Sequence, residues 1–158
     1  MSKKHRELYL RKKRQETMSP TELYIDKAKN KLQDNKLKLT QARLDLIDLL
    51  SEHEEAMTPY KMIDLFKEKG KIYSPITIYR VLDSFMSVNL VHKVYSINSY
   101  IRCADLDHTD HDHRLLVCTE CNSVMVTPSE QTEAEVNVPG FHSKKIVDEV
   151  IGLCGKCH

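Results

Sequence analysis

The chain has 158 residues, of which 41% are hydrophobic and 30% charged, and its formal net charge is +1. This length and composition are those of one globular domain or two small ones. No apolar run approaches a membrane span and there is no signal-peptide pattern, so we expect a cytoplasmic protein without a membrane partner. Four of the five cysteines form two CxxC pairs, which favours metal binding over disulfides in a reducing compartment.

Charge is unevenly distributed along the chain. Residues 1–14 hold seven Lys and Arg against Glu7, a net charge of +6, and the remaining residues are mildly acidic. We interpret residues 1–18 as a basic flexible arm. Such an arm indicates a polyanion partner, and the alternative is a disordered solubilising tail.

Four amphipathic helices are predicted after the arm, each opened by a Ser or Thr cap, and three of the caps precede Pro. The caps are Ser19, Thr40, Thr58 and Ser74. Two β-prone runs, 90–95 and 99–103, flank a short turn and predict a hairpin. This order predicts a winged helix-turn-helix DNA-binding domain over residues 19–103.

The fourth helix, which begins after Ser74, is the element expected to enter the DNA major groove. Its apolar residues recur at helical spacing and hold it to the body of the domain. Arg and Tyr near a helix N-terminus can reach base edges and phosphates. An ordinary surface helix is the alternative. The residues on its outward faces are Ile76, Thr77, Tyr79, Arg80 and Asp83.

The remaining third of the chain predicts a hinge followed by a small α/β domain. Residues 104–114 are too polar for a core element and are interpreted as the hinge. Residues 115–158 contain β-prone runs at 115–118 and 123–126, a possible helix over 128–138, and a strand region within 140–151. A domain of this size buries too little apolar surface alone, so it needs a staple or a partner chain.

The two CxxC pairs supply the predicted staple. Two tight loops that each present two thiolates can close a tetrahedral zinc site without an open position, which is typical of structural zinc. The 32 residues between the pairs leave room for a sheet and a helix. A redox CxxC or unrelated thiols are the alternatives. The predicted ligands are Cys118, Cys121, Cys154 and Cys157.

A second metal site is predicted where the hairpin meets the hinge. If the hairpin turns at Ile97-Asn98, His92 faces Cys103 across the two strands. The hinge adds further donors, and a thiolate with imidazoles suits zinc better than iron. Metal binding would then set the angle between the two domains. The alternative is that this His- and Asp-rich loop is a solvated surface segment. The hinge donors are His108, Asp110, His111, Asp112 and His113.

Two other functions are weighed against a zinc-responsive DNA-binding protein. A zinc-dependent hydrolase needs an open coordination position, a general base and a substrate pocket, and no apolar pocket is predicted, so we do not expect an enzyme. An iron- or peroxide-responsive regulator of the same fold is the other alternative. The Cys103 thiol argues against it.

Several segments resemble the ferric-uptake-regulator family and, within it, its zinc-responsive members. They are LKLTQARLDLIDLL, SPITIYRVLDSF, VHKVYSINSYIRC, CTEC and GF…E…GLCGKC, spread over residues 20–157. The resemblance implies a homodimer that binds an AT-rich palindromic operator in double-stranded DNA when loaded with zinc, and represses zinc-uptake genes. It also implies that Tyr60 and Arg80 contact DNA.

The resemblance implies two zinc ions per chain, one structural at the four cysteines and one regulatory. The regulatory ligands carried over are His92, Cys103 and His111. Similar proteins often add a carboxylate after the CxxC, but Val126 stands at that position here. We predict His113 as the fourth ligand, with His108, Glu130 or water as alternatives. No third site is expected, because Lys145 and Ile146 stand where a further His would fall, and His142 is interpreted as an ordinary residue.

Overall fold

The computed structural model describes residues 3–107, 113–128, 139–140 and 147–158. Five helices precede two small sheets in this part of the chain. None of the helices is long and apolar enough to cross a bilayer. The elements are α1 (Lys3–Gln15), α2 (Pro20–Asp34), α3 (Gln41–Glu52), α4 (Pro59–Glu68), α5 (Pro75–Met86), β1 (Val91–Val94), β2 (Ser99–Arg102), β3 (His113–Cys118), β4 (Val124–Pro128) and β5 (Glu149–Gly152).

Helices α2 to α5 begin where their caps predict. Each cap side chain accepts a hydrogen bond from the backbone N–H three residues on, and Pro occupies the start of α2, α4 and α5. Ser19 and Glu22 form a full capping box, which satisfies two N–H groups that a helix end leaves exposed. Gly70 follows α4 with φ of +72°, a left-handed conformation that glycine adopts without strain. The predicted starts of these four helices are confirmed.

The basic segment at the start of the chain differs from its prediction. The sequence predicts a flexible arm over residues 1–18, whereas the structure has the helix α1 over Lys3–Gln15. No Gly or Pro interrupts this segment before Pro20, and Lys, Arg, Leu and Glu are strong helix formers. Its last turn carries Lys12, Lys13 and Arg14, whose charges interact favourably with the helix dipole.

The four capped helices close around one hydrophobic core. Leu32, Leu46, Ile78, Leu82 and Phe85 from α2, α3 and α5 are fully buried. The hairpin joins this core, because Met57 and Tyr100 exchange two backbone hydrogen bonds of 2.9 and 2.8 Å between the loop before α4 and β2. The helices and the hairpin therefore form a winged helix-turn-helix.

The hairpin register is shifted by two residues from the predicted pairing. His92 lies opposite Ile101, not opposite Cys103, because residues 95–98 form a four-residue turn where two residues were expected. An even shift keeps side chains on the same face of a strand, whereas an odd shift would reverse them. Cys103 comes two residues after Ile101 and so stays on the side of His92.

The C-terminal region is a three-stranded sheet in the order β4-β3-β5. β4 runs antiparallel to β3, and β5 runs parallel to it. The hinge is shorter than predicted, since His113 and Arg114 already belong to β3. A helix was predicted over 128–138, but Pro128 is the last residue of β4 and not the start of a helix. The rest of that predicted helix, residues 129–138, and residues 141–146 of the predicted strand region lie outside the described residues.

The two regions meet through a second, smaller apolar cluster. Val94 and Ile101 of the hairpin pack with Leu115 and Val117 of β3, and all four side chains are buried. This junction places strand β1 beside strand β3, and both candidate metal centres involve one or both of these strands.

Candidate metal centres and nucleic-acid interface

The four-cysteine centre is built at one end of the C-terminal sheet. β3 and β5 are parallel neighbours, with Cys118 in register with Gly152, so the two CxxC loops leave the sheet side by side. The Sγ atoms of all four cysteines lie within 4.8 Å of one another. The sulfurs of Cys121 and Cys154 are 3.7 Å apart, which is too far for a disulfide. The topology therefore brings together all four predicted ligands.

The backbone around this centre favours thiolates. N–H groups of Cys121 and Cys154 donate to the Cys118 sulfur and lower the pKa of its thiol to about 6. The N–H of Lys156 contributes most to lowering the pKa of Cys154. Hydrogen bonds with the sulfurs of Cys154 and Cys121 raise the pKa of Cys157 to about 12, because they favour its protonated thiol. A cation is needed to hold all four as thiolates.

The donor set and its spacing fit zinc. Zinc–sulfur bonds of about 2.3 Å in a tetrahedron put the sulfurs about 3.8 Å apart, close to the 3.7 Å between Cys121 and Cys154. Four sulfur ligands leave no position for water or substrate. A site of this kind stabilises a fold and does not perform catalysis.

The second cluster lies at the junction of the hairpin and β3. His92 on β1, Cys103 after β2 and His113 at the start of β3 place one ligand atom each within 4.8 Å of the others. The Cys103 sulfur is 4.0 Å from His113 Nε2, and the two imidazole rings meet edge to face with centroids 4.9 Å apart. A thiolate and two imidazoles at this spacing form most of a zinc site.

The other positions considered for this cluster lie either outside the described residues or in β4. His111, His108 and Glu130 lie outside the described residues. Val126 is half-buried in β4 opposite Leu115, among the apolar residues of the junction. His113 is its diagonal neighbour on the same face of the sheet, since His113 pairs with Pro128. An imidazole on β3 therefore lies beside Val126, the position at which the family resemblance would place a carboxylate.

Cys103 lies in a buried position that resists ionisation without a cation. Burial raises the pKa of its thiol, and the ammonium of Lys31 acts in the opposite direction. Lys31 on α2 also donates to the Leu106 carbonyl at 3.1 Å, and Lys27 pairs with Asp107. The first residues of the predicted hinge, up to Asp107, are thus held against the helical region.

The predicted DNA-contacting residues lie on α4 and α5. Tyr60, at the start of α4, is 62% exposed, and Arg80 is exposed on α5. Thr77 and Tyr79 are half-buried, and the Thr77 N–H donates to the cap Ser74. The N-termini of both helices carry partial positive charge, which suits phosphate groups.

Two carboxylates were not predicted from the sequence. Buried Asp45 on α3 accepts hydrogen bonds from Lys71 Nζ at 2.8 Å and Tyr73 Oη at 2.5 Å, and so fixes the turn before α5. Glu149 on β5 accepts from the backbone N–H groups of Tyr95 and Ser96 at the hairpin turn. The long-range contacts of these two residues do not follow from local sequence, because Lys71 lies 26 positions after Asp45 and Tyr95 lies 54 positions before Glu149.

Comparison with known proteins agrees with this architecture. The model of the ferric uptake regulator family matches residues 34–146. The chain belongs to the ferric uptake regulator family. Within that family it is 33% identical over 125 residues to the zinc uptake regulation protein of Escherichia coli, an alignment that covers 77% of this chain and 73% of that protein.

The fold of this chain is also similar to solved structures of zinc uptake regulators. A zinc uptake regulator complexed with zinc and DNA matches with a TM-score of 0.77 at 30% identity, over 89% of this chain and 96% of that one. A second relative, XcZur, has been solved in two forms. Its holo form matches with a TM-score of 0.72 at 27% identity (85% of this chain, 96% of that one), and its apo form with 0.52 at 26% (89% and 99%).

Proposed function

We propose that this protein is a zinc-responsive, sequence-specific DNA-binding repressor of zinc-uptake genes. It works in the cytoplasm as a homodimer on an AT-rich palindromic operator, and it acts by binding and not by catalysis. The observation that carries the proposal is the cluster of His92, Cys103 and His113, which joins the winged helix to the C-terminal sheet. Similarity to a zinc uptake regulation protein supports zinc as the signal.

Two zinc ions per chain have separate roles in this proposal. Cys118, Cys121, Cys154 and Cys157 hold the structural ion, and residues 115–158 form the dimerisation domain. The regulatory ion is held by His92, Cys103 and His113, with His111 of the hinge as the fourth ligand. Zinc accepts electron pairs from thiolate and imidazole ligands and favours four ligands in a tetrahedron.

The positions of the three ligands explain how zinc binding would change the arrangement of the hairpin and the C-terminal sheet. His92 and Cys103 belong to the hairpin, whereas His113 belongs to the sheet, so drawing their ligand atoms together closes the junction. In a dimer this closure sets the separation of the two α5 helices. A ligand that binds one arrangement better shifts the population towards it. The greater likeness to the holo form than to the apo form of the same relative supports this assignment.

DNA recognition is assigned to the exposed face of α4 and α5. Arg80 and Thr77 reach base edges, and Tyr60 and Tyr79 contact the backbone or thymine methyl groups. Exposure of Tyr60 and Arg80 supports this role.

The test is operator binding against buffered free zinc, with a duplex selected from a random library by the zinc-loaded protein. We expect zinc-dependent binding, and a loss of about 5- to 150-fold in Cys103→Ser, the usual range of allosteric coupling. Cys103→Ser should keep its structural zinc and its helical content. The proposal would be contradicted if no duplex were selected, or if the affinity for DNA were equal with and without zinc. Metal analysis that finds iron at the second site would favour the iron-responsive alternative.

A further inference from the structure

Glu149 joins the tip of the hairpin to the C-terminal sheet. Its Oε1 accepts from the Tyr95 N–H at 2.6 Å, and its Oε2 accepts from the Ser96 N–H at 3.0 Å. Both carboxylate oxygens are used, each by one of two consecutive N–H groups. β1 ends at Val94, so these groups lie beyond the hairpin ladder. Hydrogen bonds to a charged acceptor are stronger than neutral ones.

The carboxylate is carried by a well-fixed strand. Glu149 pairs with Leu115 of β3, and the Leu115 N–H donates to the Asp148 carbonyl at 2.9 Å. The Arg114 guanidinium also donates to the Asp148 carboxylate at 2.8 Å. This ion pair balances the charge next to Glu149. The position of Glu149 therefore follows the position of β3.

The metal cluster spans the same two strands as this contact. His92 and the Tyr95–Ser96 turn belong to β1 and its end, and His113 lies two residues before the partner of Glu149 on β3. One cavity of about 120 Å³ is lined by His92 and His113 together with Tyr95 and Asp148. Any change in the separation of β1 and β3 acts on the metal cluster and on the Glu149 contact at once.

We propose that Glu149 is a positioning residue that makes zinc affinity at the regulatory site depend on how the hairpin sits against the sheet. This inference rests on the proposed function and assigns a role to a residue outside the metal ligands. The carboxylate stabilises the closed junction, in which His92, Cys103 and His113 are already near one another. Closure before binding removes part of the cost of metal binding. By reciprocity, zinc in turn holds the hairpin tip against Glu149.

The first measurement is regulatory zinc affinity without DNA, by competition with a chelator. We expect Glu149→Ala to weaken this affinity about 5- to 10-fold, at the low end of the usual range of coupling between sites. Glu149→Gln keeps one acceptor oxygen and should fall between the wild type and the alanine variant. Glu16→Ala, which removes an exposed carboxylate at the end of α1, is the matched control and should leave the affinity unchanged.

The second measurement separates positioning from folding and from the proposed function. The structural zinc content and melting temperature of Glu149→Gln should match the wild type, while the free zinc needed for half-maximal operator binding rises by the same factor as its zinc dissociation constant. Unchanged zinc affinity in both Glu149 variants, or loss of structural zinc in both, overturns the inference. Zinc-independent operator binding by the wild type would instead overturn the proposed function.

Discussion

The helical region and the C-terminal sheet solve the problem of stability in opposite ways. The helical region buries a large set of aliphatic and aromatic side chains from α2 to α5 and the hairpin. The described part of the C-terminal sheet buries Leu115, Val117 and Cys118, and leaves Met125, Val150, Ile151 and Leu153 about half exposed. One region buries a core of its own, whereas in the proposed function the other depends on zinc and on the surface of a second chain.

The largest expected effect is on the sheet. Cys121→Ser removes one ligand from a site whose binding free energy stabilises the fold, about 10 kcal/mol or more for structural zinc. We expect loss of the C-terminal sheet and of dimerisation with retention of the helical signal, measured by circular dichroism and sedimentation. Cys103→Ser is the control, because it removes a cysteine from the cluster of His92, Cys103 and His113 and leaves the four-cysteine centre intact. Equal damage from both variants would contradict the division into two centres.

The helical region should fail through its core and not through metal. Leu82→Ala leaves a cavity at a fully buried position, and such substitutions cost about 2–5 kcal/mol. We expect a lower urea midpoint for the helical transition at unchanged structural zinc content. Ile76→Ala, at a 65% exposed position of the same helix, is the matched control. A comparable loss of stability in both variants would argue against the helical core.

A smaller effect is expected at Asp45, with a defined pH dependence. Although burial acts to raise it, hydrogen bonds from Lys71, Tyr73 and Gln41 hold the pKa of Asp45 below its ordinary value of 3.8. Losing these bonds in Asp45→Ala should cost about 1–3 kcal/mol.

The direction of the pH dependence of stability follows from the lowered pKa of Asp45. The contribution of the Asp45 charge is present above the ordinary Asp value of 3.8 and is lost as pH falls through the lower folded value. Asp45→Asn should therefore be less stable than the wild type at neutral pH and approach it in strong acid, in urea unfolding at a series of pH values. A difference that grows on acidification would show that the carboxylate is not held as an anion.

Substitutions of the basic residues in α1 are expected to have the smallest effect on folding. Their expected effect is on DNA binding. Arg6, Lys12, Lys13 and Arg14 are exposed. If each meets a phosphate, replacing all four by Gln lowers the slope of log affinity against log salt by about 3 to 4. The free zinc concentration at half-maximal DNA binding should not change, because neither cluster proposed to hold zinc includes a residue of α1. An unchanged slope would assign α1 to solubility.

Most of the helical region was predictable because its signals are local. Ser19, Thr40, Thr58 and Ser74 satisfy N–H groups three residues away, and the apolar spacing that follows each cap is read within one helix. The four cysteines were predictable because each CxxC loop supplies two ligands over a short range and zinc takes four, so two such loops indicate one site. The helix α1 was not predicted, because a run of basic residues is as typical of a disordered arm as of an exposed helix.

The sequence alone therefore determined the capped helices, the pairing of the two CxxC motifs and the side of the hairpin on which His92 and Cys103 lie. Only the tertiary structure decided the hairpin register, the approach of His113, and the partners of Asp45 and Glu149. Register depends on the length and geometry of one turn, and the carboxylate contacts join residues 26 to 54 positions apart. Such contacts form when whole elements pack, and no local pattern of residues specifies that packing.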